Sequence, residues 1–173
     1  MPQVVQLFSG TVFDNLTLGG ESVSREAVQR AATVAGSDSF IQNLPNGYAM
    51  MLRRGVDLSG GQRQLLALAR ALVWDPAVLL LDEATAAIVS ASEAAFRAAL
   101  RASVSSQDRA VLTVAHRLST AREADQVLVM EEGRIVEEGT PEDLMRRQGR
   151  FAALLELEAA GWGWRVDGRT LSQ

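Results

Sequence analysis

The sequence of 173 residues contains no cysteine and a single histidine, His116. Disulfide staples and thiolate metal sites are thereby excluded, as is a centre built on several imidazoles. Long hydrophobic runs are also missing. The apolar stretch 78–81 stops at Asp82 and the stretch 110–115 is interrupted by Thr113. A membrane-spanning helix needs about 20 apolar residues, so both stretches read as buried strands. Nor is there an excess of positive charge: 17 basic side chains face 21 acidic ones, for a net charge of -4. A chain whose affinity rests on a broad basic face along a nucleic-acid backbone is therefore not expected. The N-terminal MPQVVQLFSG has neither the positive charge nor the apolar core of a secretory signal. The expected compartment is the cytoplasm, with any membrane association supplied by a partner.

What is present is an ordinary globular balance, 47% hydrophobic and 22% charged, over roughly one domain's length. There is no repeat or low-complexity tract. Residues 1–10 are apolar and extended. Residues 24–35 have helical spacing with Ser24 as N-cap ahead of Glu26, and Leu44-Pro45-Asn46-Gly47 marks a turn. Up to about residue 76 the pattern predicts only helix and loop.

Beyond Asp75-Pro76 the character changes. Apolar strands are expected at 77–81, 110–115 and 126–130, with a helix at 91–102 through Phe96, Ala99 and Leu100. Glu131-Glu132-Gly133 turns into a hairpin strand at 134–136. Apolar runs alternating with helices favour an α/β core whose sheet is covered on both faces. Thr140-Pro141-Glu142-Asp143 opens a helix, with threonine as cap, proline at N1 and acids in the first turn. Phe151, Leu154 and Leu155 give one more short amphipathic helix, and the tail 161–173 has no usable periodicity.

Three constellations carry chemistry. Leu58-Ser59-Gly60-Gly61-Gln62 runs into RQLLALARAL, where Leu65, Leu68, Ala69 and Leu72 form one helical stripe. Ser59 then stands at the N-cap, and the glycines leave backbone N–H groups uncovered, a ready anion site. A glycine-assisted cap with no ligand fits the same residues. Next, Val78-Leu79-Leu80-Leu81 emits Asp82 and Glu83 at a strand's C-terminal end, where open α/β sheets place their ligands. One acid can hold magnesium and the other polarise a water, or both can cap the following element. Last, His116 directly follows an apolar strand. There it can steady a phosphate or a water, or serve as a satisfied structural residue.

Together these segments resemble the ATP-binding domain of ABC transporters, of exporter type. LSGGQ at 58–62 is similar to the family signature, VLLLDEAT at 78–85 to its Walker B strand and TVAHRLST at 113–120 to its switch-histidine segment. Pro2-Gln3 with LFSGTVFDNL at 7–16 resembles the Q-loop region, and 124–144 the closing strands and helix. The resemblance covers roughly residues 2–155. It implies an α/β, P-loop NTPase-like fold, truncated to a helical subdomain at about 14–75 and a Walker B to C-terminal α/β part at 76–160. It further implies ATP and Mg2+ as ligands, Glu83 and His116 as catalytic residues, and Asp82 with Gln3 at the metal. Gln3, Ser59, Gly60, Gly61 and Gln62 would contact nucleotide. The implied partners are a second ABC ATP-binding domain, arranged head to tail, and the transmembrane domains of an exporter; no nucleic acid is implied. The implied location is the inner face of the membrane.

The sequence also departs from the family pattern. No G-x-x-x-x-G-K-[ST] occurs in these residues; in this family that phosphate loop lies upstream of the Q-loop. Val89 stands where an aspartate usually ends the loop after Walker B, and Arg53-Arg54-Gly55 replaces the usual Glu-Arg-Gly. Two functions follow as expectations. One is the C-terminal part of an exporter ATPase domain, whose intact protein hydrolyses ATP to drive export. The other is a non-hydrolysing dimerisation or regulatory module that lends its signature to an intact ATPase.

Overall fold

A computed structural model describes residues 5–20, 22–52, 58–82, 90–105, 109–115 and 118–159. The chain divides into two compact units, residues 1–113 and 114–173.

The first unit is organised by helix caps. Strand β1 (Gly10–Thr11) leads into α1 (Val12–Thr17), which opens with a capping box. Asp14 N donates to Thr11 Oγ1 at 3.0 Å and Thr11 N donates to Asp14 Oδ2 at 2.8 Å. Helix α2 (Arg25–Val34) is capped by Ser24, whose hydroxyl accepts from Ala27 N, and it buries Val28, Ala31 and Ala32. A five-residue α3 (Asp38–Gln42) and a 3-10 turn (Gly47–Ala49) follow, the latter closing the expected turn through Gly47 N to Leu44 O. Strand β2 (Met51–Leu52) pairs antiparallel with β1. The sequence pattern predicts only helix and loop in this region; two-residue strands are too short to show a period-2 alternation.

Helix α4 (Gly60–Leu72) forms the centre of this unit. It buries Leu66, Leu68, Ala69 and Leu72, with Leu65 partly buried. The apolar face is therefore wider than the expected stripe and includes Leu66, because α1, α2 and α5 (Ser90–Ser105) all pack against α4. From α5, Phe96 and Ala99 enter the same core, as does Leu79 of β3 (Val78–Asp82).

Strand β3 pairs with β4 (Ala110–Val114), and Ala110 N donates to Ala77 O at 2.9 Å. The turn before β3 is held by Arg109. Its Nε donates to Pro76 O and its Nη2 to Asp75 Oδ1, both at 2.8 Å. Asp75 adopts a left-handed φ of 47°. Here the expectation of a sheet covered on both faces fails. Leu79 is buried, but Val78, Leu80 and Leu112 are 61%, 66% and 53% exposed. Among the described residues no layer covers that face.

The second unit contains α6 (Leu118–Arg122) and the hairpin β5 (Val127–Glu131) with β6 (Arg134–Gly139). Both turn residues, Glu132 and Gly133, have positive φ, as a two-residue type I′ connection requires. The second strand runs three residues past its expected end, through a register shift at Val129/Met130. Helix α7 (Pro141–Arg147) has the expected Thr140 cap and N1 proline, with acids in its first turn. Helix α8 (Arg150–Ala159) buries Phe151 and Leu155 against Leu118, Val129 and Leu144, and Ala152 is buried as well. Leu154 is only partly buried.

Candidate functional site

Four of the sequence-selected residues converge on the N-terminus of α4. Ser59 is the N-cap, with φ -61° and ψ 159°, and Leu58 before it is buried. Gln62 N donates to Ser59 Oγ at 3.1 Å, and Ser59 N donates to Gln62 Oε1 at 2.9 Å. Arg63 N reaches Ser59 O at 3.0 Å, starting the helical ladder, and the Arg63 guanidinium donates to Leu58 O. A helix start carries four amide donors without intrahelical partners. The capping box satisfies those of Ser59 and Gln62. The two that remain are the amides of Gly60 and Gly61, which meet no acceptor among the described residues. The Ser59 hydroxyl accepts in this arrangement, so its own proton stays available to an outside oxygen.

Nothing in the local packing requires glycine at Gly60. A Cβ built there meets no atom within 4 Å, and its φ is not left-handed. The absent side chain leaves the backbone open to close approach. Ser59 and Gly60 are exposed and Gly61 is half-buried, at the positive end of a 13-residue helix.

Asp82 ends β3 on the same side as the exposed Val78 and Leu80. Its carboxylate is exposed. No group of three His, Cys, Asp or Glu side chains gathers among the described residues. One carboxylate suits magnesium, which takes one or two acids plus substrate phosphates and retains water; calcium requires a fuller oxygen cage. Gln3, Glu83 and His116 lie outside the described residues, as do Arg53-Arg54-Gly55 and Val89. Immediately beyond His116 and Arg117, the first amide of α6 is held from α8: Leu118 N donates to Glu158 Oε1 at 3.3 Å.

Sequence reasoning missed the residues that hold these elements in place. Arg70 on α4 and Asn15 on α1 bond to each other and to the segment before α1. An arginine inside the apolar run LALARAL was the available signal, since a charge among apolar residues needs a partner when it is buried. Burial lowers the pKa of the Arg70 guanidinium from its usual value. Tyr48 is a second such residue; it donates to Asp38 Oδ1 at 2.6 Å, and burial, followed by that carboxylate, pushes its hydroxyl pKa well up.

Comparison with known proteins extends the picture. A family model described as ABC transporter matches residues 1–86. An ABC-type transporter of Mycosarcoma maydis is 45% identical over 168 residues, 94% of this chain and 12% of that protein. A mitochondrial potassium channel ATP-binding subunit of Xenopus tropicalis is 47% identical over 153 residues, 88% of this chain and 22% of that one. A putative multidrug export ATP-binding/permease protein of Staphylococcus aureus is 46% identical over 153 residues, again 88% of this chain, and 26% of its own length. The chain thus spans between 12% and 26% of these relatives. Among solved structures, a bacterial Atm1-family ABC exporter with ATP bound superposes with a TM-score of 0.78 at 39% identity. That match covers 91% of this chain and 27% of the exporter chain.

Proposed function

The chain belongs to the ABC transporter ATP-binding family, exporter type, and from that premise we propose that it carries the signature half of a composite ATP site. Ser59, Gly60 and Gly61 grip the γ-phosphate of ATP held by the phosphate loop of a second ABC domain. The observation that carries this reading is the pair of amides at Gly60 and Gly61 that meet no acceptor among the described residues, at a helix start where no packing demand explains glycine at Gly60. Gln62 orients Ser59 through its side-chain oxygen, which accepts from the Ser59 amide, and keeps its side-chain NH2 as a donor toward phosphate.

The remaining roles follow the family pattern residue by residue. Asp82, with Gln3, holds magnesium, which when bound neutralises charge on the phosphate oxygens. Glu83 acts as the base toward water, and His116 steadies the γ-phosphate. Residues 14–75 form the helical signature subdomain and residues 76–160 the Walker B to C-terminal part. In the intact protein the reaction is ATP hydrolysis driving export through transmembrane domains, at the cytoplasmic face of a membrane. No helix among the described residues is long and apolar enough to cross one.

These 173 residues contain no glycine loop with the lysine that cradles β- and γ-phosphates. Phosphoryl transfer depends on positioning and charge stabilisation, so the chain by itself is expected to turn over negligible MgATP. Purifying it and measuring phosphate release tests this. Robust turnover abolished by Glu83→Gln would contradict the assignment of half a site.

A further inference from the structure

The structure gives Arg70 an unusual set of partners. It lies eleven residues beyond Ser59 on the same helix, about three turns, and so close to the same side. Its Nε donates to Asn15 O at 2.8 Å, Nη1 to Gln6 O at 3.2 Å and Nη2 to Asn15 Oδ1 at 3.4 Å. The guanidinium carbon stands 5.4 Å from the centre of the Phe8 ring. Asn15, itself fully buried, accepts from Phe8 N at 2.8 Å and donates to Phe8 O at 2.9 Å and to Thr11 O at 3.0 Å. Every one of these Arg70 contacts falls within residues 6–15. One cation therefore holds both ends of the segment, while the Asn15 amide closes it from within.

That pattern differs from a cation satisfied by a single carboxylate. The fork of donors fixes the pose of the segment on the helix, which a lysine with one compact ammonium cannot reproduce. The segment begins three residues after Gln3, and the helix begins at Ser59 and Gly60. We infer that Arg70 is a positioning residue that locks residues 6–15 and α4 into one rigid block. Residues 6–15 and the donor amides of Gly60 and Gly61 thereby keep a fixed relation. For its consequence at nucleotide, this inference rests on the reading of α4 proposed above.

Hydrogen exchange on the full 173-residue chain tests the lock directly. In Arg70→Ala, amides of residues 6–17 should exchange on the order of tenfold faster while those of 60–72 hold their protection. Arg70→Lys should fall between, and Asn15→Ala should reproduce the loss. Unchanged exchange in 6–17 would overturn the inference. Equal loss in both segments, in the alanine and the lysine variants alike, would make Arg70 a general stability residue and overturn it too. A second readout is ATP-dependent association with an intact ABC exporter ATP-binding domain. Arg70→Ala should raise the ATP concentration for half-maximal association severalfold without lowering the maximum. A loosened 6–17 segment with unchanged ATP dependence would overturn the link to nucleotide. Ser59→Arg separates the two ideas: if it associates normally, the composite-site reading fails, and the exchange result still decides the lock.

Discussion

Ser59 and Gln62 cap one another across the first turn of α4, each backbone amide bonded to the other's side chain at 2.9 and 3.1 Å. The reciprocity determines which donors are left for a ligand. It also separates two properties that a glycine-rich helix start usually mixes, the stability of the cap and access to the backbone.

Gly60→Ala tests that separation. The added Cβ has open space, and alanine reduces the freedom of the unfolded chain, so stability should rise by about 0.4–1 kcal/mol in a denaturant melt. Association with an ATP-loaded partner domain should weaken, because the methyl group stands where phosphate approaches. Ser59→Ala should do the opposite to stability, costing about 1 kcal/mol through loss of the cap.

In the second unit, Glu137 reaches from β6 to accept from Arg150 N at 2.6 Å and Phe151 N at 3.0 Å, capping α8. A Cβ at Gly149 would sit 1.8 Å from its Oε1. Gly149→Ala must therefore push the carboxylate off the cap. Gly149→Ala and Glu137→Ala should each cost about 0.5–2 kcal/mol. Their double variant should cost much less than the sum. Additive costs in thermal melts would show that the two residues act separately.

The α1 cap carries a pH signature. The Thr11 amide, then its hydroxyl, holds the exposed Asp14 carboxyl below its usual value. A depressed folded-state pKa contributes stability that is complete above the unfolded value, about 3.9, and is lost as pH falls through the lower folded value. The stability gap between wild type and Asp14→Asn should therefore be constant near neutrality and narrow below about pH 4. Denaturant melts from pH 3 to 7 check this; a gap that widens in acid would reverse the sign.

The uncovered face of β3 and β4 bears on solution behaviour. Val78, Leu80 and Leu112 together expose an apolar surface of the kind that drives self-association. Leu80→Ser with Leu112→Thr should lower light scattering of the concentrated chain and leave its melting transition in place. Scattering that does not change would show that the face is not the sticky one.

Much of this was legible in the sequence because it is local chemistry. Ser24, Ser59 and Thr140 announce caps through residue type and position, and Glu132-Gly133 announces a hairpin because both positions need positive φ. What was not legible is nonlocal. The alternation of Val78, Leu79 and Leu80 is invisible in a run where every residue is apolar, so burial on one side only could not be read. Leu66 entered the core because three helices surround α4, which one helix's periodicity cannot reveal. Arg70 and Asn15 are 55 positions apart, and no spacing rule joins them.

We propose that the amides behind Ser59 hold a phosphate belonging to another domain. Titrating ATP into a mixture of this chain and an intact ABC exporter ATP-binding domain, with wild type beside Ser59→Arg, measures it most directly. Association should require ATP and be abolished by the arginine, whose bulk and length fill the approach to Gly60. Association that ignores ATP, or that survives Ser59→Arg undiminished, would contradict it.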